Sequence, residues 1–290
     1  MNLLEAIDAR HAIRAYTDEP VAQDTLAALQ SEIDACNTAS GLHIQMVAGM
    51  NDAFLGLKTH YGRFKGVHNA IALIGRDSDD GTTLQSFKDA DGTPVSPAAA
   101  ALQERVGYYG ERLVLRAVQL GLATSWAVLD GAETVPAADA WWTLNDGESV
   151  VWVIAFGHGA RPGGRRRSKP LEELANAAES AAVVTTGTDT QVGPISKAPA
   201  TEGSVEGPAA GSAAPSAKPD TATWPDWFAH GMEAAMAAPT SLSQQPFHFT
   251  LNTDGSVTAE ALDGLFAHVG LGCAKYHFEV GAAPHEVVWR

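Results

Sequence analysis

Apolar residues recur along this chain with two different periods. In "RVGYYGERLVLRAVQLGL" (105–122), Val106, Tyr109, Leu113, Ala117 and Leu120 return every third or fourth position, which predicts a long, largely buried helix closing near Gly121. Leu26, Leu29 and Ile33 have the same spacing just after Pro20, so 21–35 reads as helix, as do 2–9 and 225–237. Short apolar runs at 42–48, 70–75 and 150–157 ("VVWVIAFG") read as strands, and alternating Phe247, Phe249 and Leu251 mark another. A last helix is expected over about 259–275. The class is α+β.

The pattern breaks once. Residues 176–222 contain no aromatic residue, no Leu and no Met, and are rich in Ala, Gly, Pro, Ser and Thr. Such a stretch cannot bury enough apolar surface to offset an ordering cost of roughly 1–2 kcal/mol per residue, so it reads as a disordered tether. A packed Ala-rich helix is the alternative, which the recurring Gly and Pro disfavour. Two folded parts follow, 1–175 and 223–290, the second too small for an independent core. Overlaying "AVQLGLATSW" (117–126) on "FAHVGLGCAK" (266–275) sets Gly121 on Gly270, each closing an apolar-faced helix; this is either a thin internal repeat or chance.

Charge and composition narrow the chemistry. The formal net charge is -15 over 290 residues, with no long basic tract, which argues against nucleic acid or an anionic membrane as partner. The first residues lack the pattern of a signal peptide and no long apolar run occurs, so a cytoplasmic protein acting on small molecules is expected. Two cysteines, without Cys or His neighbours at metal spacing, give neither a disulfide framework nor a metal site. Against this acidic background two cationic clusters stand out. "RHAIRAY" (10–16) holds Arg10, His11 and Arg14; "RPGGRRRSKP" (161–170) holds Arg161, Arg165, Arg166, Arg167 and Lys169. Each is either an anion site or a solvated surface run.

"RHAIRAYTDEPV", "YYGERLVLRAVQLGLATSW", "VIAFGHGA" with "RRRSKPLEEL", and "APTSLSQQPFHF" (238–249) together resemble the ordered signatures of the FMN-dependent nitroreductase family. In that family the "AP-S-x-x-N-x-QP" loop follows soon after the N-terminal Arg motif, whereas here it stands more than 220 residues later. The order resembles the subgroup in which two nitroreductase-like halves are fused. The resemblance implies a three-layer α/β/α sandwich, a monomer acting as an internal pseudo-dimer, a small-molecule acceptor and one FMN where the halves meet. "CNTASGLHIQMV" (36–47) lacks the loop and the second half lacks "RHAIR", so each half holds what the other has lost.

The resemblance also implies site residues. Arg10, His11, Ala12 and Arg14 match phosphate and ribityl positions, Ala12 departing from the usual Ser. Arg166 and Arg167 are favoured as further phosphate ligands over Arg165 and Lys169. Val128 and Leu129 match backbone donors facing the flavin ring. Pro239, Thr240 and Ser241, after Ala238, match the loop closing over it, with Ser243 where Asn is usual and Gln245 in the Gln-Pro pair. Trp126 is a ring neighbour or core; His248 and His277 read as structural.

No side-chain nucleophile, acid/base dyad or nucleotide-loop motif is evident. That fits the reaction the resemblance implies, which is flavin-borne: NAD(P)H delivers hydride and leaves, and an electron-poor acceptor such as a nitroaromatic or quinone takes its place. Flavin reduction, dehalogenation or dehydrogenation on the same fold, or a non-catalytic flavin-binding or interaction protein, are the alternatives.

Overall fold

The computed structural model describes residues 1–60, 62–76, 95–164, 166–178 and 224–290. Helix α1 (Leu3–Ala9) opens with a capping box in which the Asn2 side chain accepts from the Glu5 N–H while Glu5 accepts from the Asn2 N–H. Helix α2 (Gln23–Ser40) runs five residues past the expected end and stops where Gly41 adopts φ 68°, a left-handed conformation that glycine accepts without strain. The Asn37 side chain, near its end, exchanges hydrogen bonds with the Ile44 backbone and leads the chain into strand β1 (Gln45–Val47). Strands β2 (Lys58–Thr59) and β3 (Asn69–Gly75) follow, then α3 (Pro97–Gln119), capped by Ser96 with Pro97 in its first turn.

After α3 come β4 (Ala123–Ala127), β5 (Leu129–Asp130) and β6 (Ser149–Gly157). Strands β1, β3, β6 and β4 form an antiparallel sheet in that order, and β2 pairs with β5. Strand β7 (Ala175–Ala177) lies parallel to β8 (Phe247–Leu251), which pairs antiparallel with β9 (Val257–Ala261). Helices α4 (Asp226–Ala235) and α5 (Ala267–Ala282) complete the chain.

Three expectations change. Residues 176 and 177, assigned to the tether, belong to β7, and the Ala178 N–H donates to Leu251; the rest of that segment lies outside the described residues. The helix expected over 259–275 is strand β9 followed by α5, because the turn at Asp254–Gly255 folds "SVTAEA" back onto β8. Gly270 consequently lies in the second turn of α5, whereas Gly121 ends α3 with φ 81°, so the proposed overlay of the two glycines fails.

The α+β class holds, with α3, α4 and α5 lying between the two larger sheets. One face of the four-stranded sheet, with Ile71, Leu73, Ile154 and Phe156, packs on α2 and α3; Phe247, Phe249 and Phe278 join the same core from the other side. The sheet's opposite face packs Ala70, Ala72, Val153 and Ala155 against Phe54 and Trp142 from connecting segments.

Helices α3 and α5 touch backbone to backbone. A Cβ on Gly107 would run into the Val269 carbonyl, and one on Gly272 into the Glu104 carbonyl. The two contacts are reciprocal: exchanging Gly107 for Gly272 and Glu104 for Val269 turns one into the other. The same exchange relates the Tyr108–Gly272 approach to the Cys273 Sγ–Gly107 O contact of 3.4 Å. The crossing has the local geometry of a two-fold interface.

Candidate functional site

A cleft of about 380 Å³ opens between the first part and the α4–β8 loop. Its cationic end is built by the segment after α1. Arg10 is the C-cap of that helix, after which the chain extends beside β4: the Ile13 N–H donates to Thr124 O at 2.9 Å, Tyr16 N–H to Lys65 O at 3.0 Å, and the Tyr16 hydroxyl to Ala155 O at 3.0 Å. This anchoring presents Arg10, His11, Ala12 and Arg14 along one wall. Arg166 and Arg167 join them from a later segment; Arg166 donates to the Ile7 and Asp8 carbonyls, which end α1. Arg14 and Arg167 are exposed. Burial, then the charges of Arg166 and Arg10, hold the His11 pKa below its ordinary value.

The second wall is the loop after α4, with Ala238, Pro239, Thr240, Ser241, Ser243 and Gln245. Leu242, Ser243 and Gln245 all have positive φ, a strained backbone that local bonds maintain. Gln245 N–H donates to Thr240 Oγ1 at 3.0 Å, its amide donates to Met236 O at 2.9 Å, and its Oε1 accepts from Lys169 N–H at 2.6 Å. Gln245 therefore joins the two parts of the chain and shapes the loop. Lys169 is engaged with it, its Nζ 3.4 Å from Gln245 O; Arg165 lies outside the described residues.

The cleft is also lined by an apolar group, Trp126, Trp152, Phe266 and Val269. Trp126 is thus a cleft wall that also packs edge-on against Trp152, ring centroids 5.8 Å apart. Val128 and Leu129 do not line the cleft. Leu129 pairs with Thr59 and Val128 O accepts from His60 N–H, so this short ribbon turns their backbone elsewhere; Ser125 and Trp126, two or three residues earlier, stand at the cleft instead. His248 is half-buried on β8, away from the cleft, and burial lowers its pKa. His277 is fully buried against Glu111, a residue the sequence pattern did not single out.

A family model described as "Putative TM nitroreductase" matches residues 2–88, 94–190 and 216–282. The chain belongs to the nitroreductase family. Among solved structures, a Thermotoga maritima protein described as a "putative nitroreductase" is similar at 15% identity and TM-score 0.48, covering 97% of this chain and 83% of that one. A Desulfovibrio desulfuricans relative, solved in complex with FMN, is 21% identical at TM-score 0.42, covering 60% of this chain and 94% of its own. A Streptococcus pneumoniae nitroreductase family protein is 14% identical at TM-score 0.44, covering 60% and 98%. Scores this low add nothing to the assignment, which rests on the family model. A comparison with curated proteins returned no match. Among the described residues no group of His, Cys, Asp or Glu could hold a metal ion, and no helix is long and apolar enough to cross a membrane.

Proposed function

We propose that the cleft binds FMN and that the chain is an NAD(P)H-dependent oxidoreductase passing hydride to an electron-poor acceptor. The observation that carries this is what one cleft brings together: Arg10, His11, Arg14, Arg166 and Arg167 with Trp126, Trp152 and Phe266, and no carboxylate among the described residues lining it. A ligand with an anionic tail and a flat apolar head matches both groups. Among the described residues the buried Arg10 Nε makes no hydrogen bond, Glu111 Oε1 standing 3.5 Å away as an ion-pair partner, so the guanidinium keeps donor capacity for a ligand.

FMN supplies the hydride chemistry when bound, so the chain's own groups need to bind, orient and exclude water. Arg14 and Arg167, exposed and without a carboxylate partner among the described residues, are the charge donors for the phosphate. The aromatic end and Val269 keep the ring end dry, and the bonded, strained loop at 240–245 holds its backbone in place over the cleft. The helix crossing supports a reading of one FMN per chain. Exchanging α3 for α5 sets Tyr108 where Cys273 lines the cleft, and there the Tyr108 hydroxyl bonds Glu279 while its ring meets Tyr109 and Tyr276. That counterpart place is filled by side chains, as expected of an internal pseudo-dimer that kept one site.

Titration of the apo-protein with FMN and riboflavin tests the reading. FMN should bind at one site per chain, and NADH or NADPH should bleach the bound flavin without air. Arg14→Ala should weaken FMN by about 1.5–3 kcal/mol, the range for a hydrogen bond to a charged group, and leave riboflavin nearly unchanged. Two equivalent sites, or equal losses for both ligands, would count against it.

A further inference from the structure

Glu111 lies in the middle of α3 with 0% of its surface exposed. A buried carboxylate is costly unless donors surround it, and here three do. Trp126 Nε1 donates to Oε2 at 3.0 Å, His277 Nε2 lies 2.9 Å from Oε1, and Arg10 Nε stands 3.5 Å from the same oxygen. The His277 Nδ1 faces Ala234 O at 3.0 Å and an Arg10 Nη donates to Ala237 O at 3.1 Å. One carboxylate therefore joins α3, α5, β4 and the C-cap of α1, and through its partners the end of α4. Two of its three direct partners line the cleft, Arg10 from its cationic group and Trp126 from its apolar group.

Buried ion pairs add little net stability compared with apolar packing, so the network's geometric effect is the more informative one. On the reading of the cleft as an FMN site, we infer that Glu111 is a positioning residue: it orients the Arg10 guanidinium toward the phosphate and the Trp126 indole toward the ring. Arg10, partly neutralised by Glu111, is then a geometric anchor, while Arg14 and Arg167 supply the net charge. This assignment has an opposite sign from simple electrostatics. Removing the Glu111 charge raises the positive potential of the cleft and by itself would tighten an anion; losing the orientation of Arg10 weakens it. The nearer effect dominates, because Arg10 is the group meant to touch the ligand.

Dissociation constants for FMN and riboflavin, read from flavin fluorescence in the full chain, test this. Glu111→Gln should weaken FMN about ten- to a hundredfold and riboflavin less. Arg10→Lys, which keeps the charge and loses the planar fork, should weaken FMN similarly, and the double variant should be no worse than the weaker single one, because both act through one contact. Thermal melts establish that each variant is folded; if Glu111→Gln is not, Glu111→Asp, with its carboxylate drawn back by one methylene, should bind FMN less tightly than the parent. FMN binding by Glu111→Gln at or above the parent's affinity, additive losses with Arg10→Lys, or parent-like binding by Glu111→Asp would overturn the inference. A parent chain that binds neither flavin would instead overturn the cleft assignment.

Discussion

His11 sits beside two arginines, and this sets the sign of its response to acid. Burial first, then Arg166 and Arg10, depress its pKa in the folded chain, against 6.5 for the ordinary group. The unfolded chain therefore takes up this proton at higher pH than the folded one. Stability from a neutral His11 is fully present above pH 6.5 and is lost as pH falls below it. The apo-protein's melting temperature should fall over that range, and His11→Asn should fall less steeply; parallel curves would show that His11 does not contribute. Bound FMN, placing a phosphate dianion beside the ring, should raise the His11 pKa and shrink the difference. Most of the cationic wall was legible in sequence because Arg10, His11 and Arg14 are contiguous and stand out in an acidic chain. Glu111 was not, because a single Glu in a helix ordinarily faces water. Its signal was the setting: Gly107, Val114, Leu115 and Val118 share its side of α3 while Arg105, Arg112 and Arg116 make the polar side, so its charge had to be buried and paired.

At the scale of elements, the α3–α5 crossing is the contact on which both cleft walls depend. Gly107→Ala or Gly272→Ala would push a methyl into a backbone carbonyl, which cannot rotate away as a side chain end could. Each substitution should cost at least about 1–3 kcal/mol, the usual range for overpacking, and lower both the melting temperature and FMN affinity. An unchanged melt would mean that the helices can separate freely at this point. Long elements were read correctly where period and caps agreed, as for α1, α3, β3 and β6. The misreadings came where local propensity and pairing disagree. "AEA" (259–261) is made of good helix formers, yet a turn at Asp254–Gly255 commits it to pair with β8. Strand β4 is too short and too mixed to announce itself, and it is this strand that brings Ser125 and Trp126 to the cleft, while Leu129 beyond it pairs with Thr59. Gly121 and Gly270 matched as letters, but the glycines that correspond in space, Gly107 and Gly272, do so because helices need small residues where their backbones meet.

For the whole molecule, the question is how much chain is needed to hold two complementary parts together. The strand β7 pairs with β8 and ends the first part directly on the sheet of the second, with Ala178 N–H donating to Leu251 O at 2.8 Å. The second part adds Phe228, Phe247, Phe249 and Phe278 to the common core, and its loop supplies a cleft wall. Residues 179–222 contain no aromatic, Leu or Met side chain with which to join that core. Replacing them with about 15 Gly/Ser residues, enough to span about 50 Å when extended, should leave FMN affinity and the melting temperature close to those of the parent. Loop-closure entropy supports this, since each halving of length changes it by only about 0.6 kcal/mol, and in the favourable direction. Proteolytic cutting within 179–222 should likewise leave the two pieces associated and yellow after gel filtration, because the apolar contact between α3, α4 and α5 does not depend on the connection. A shortened chain that is colourless or unfolded while the parent binds flavin would show that this segment contributes contacts its composition does not reveal.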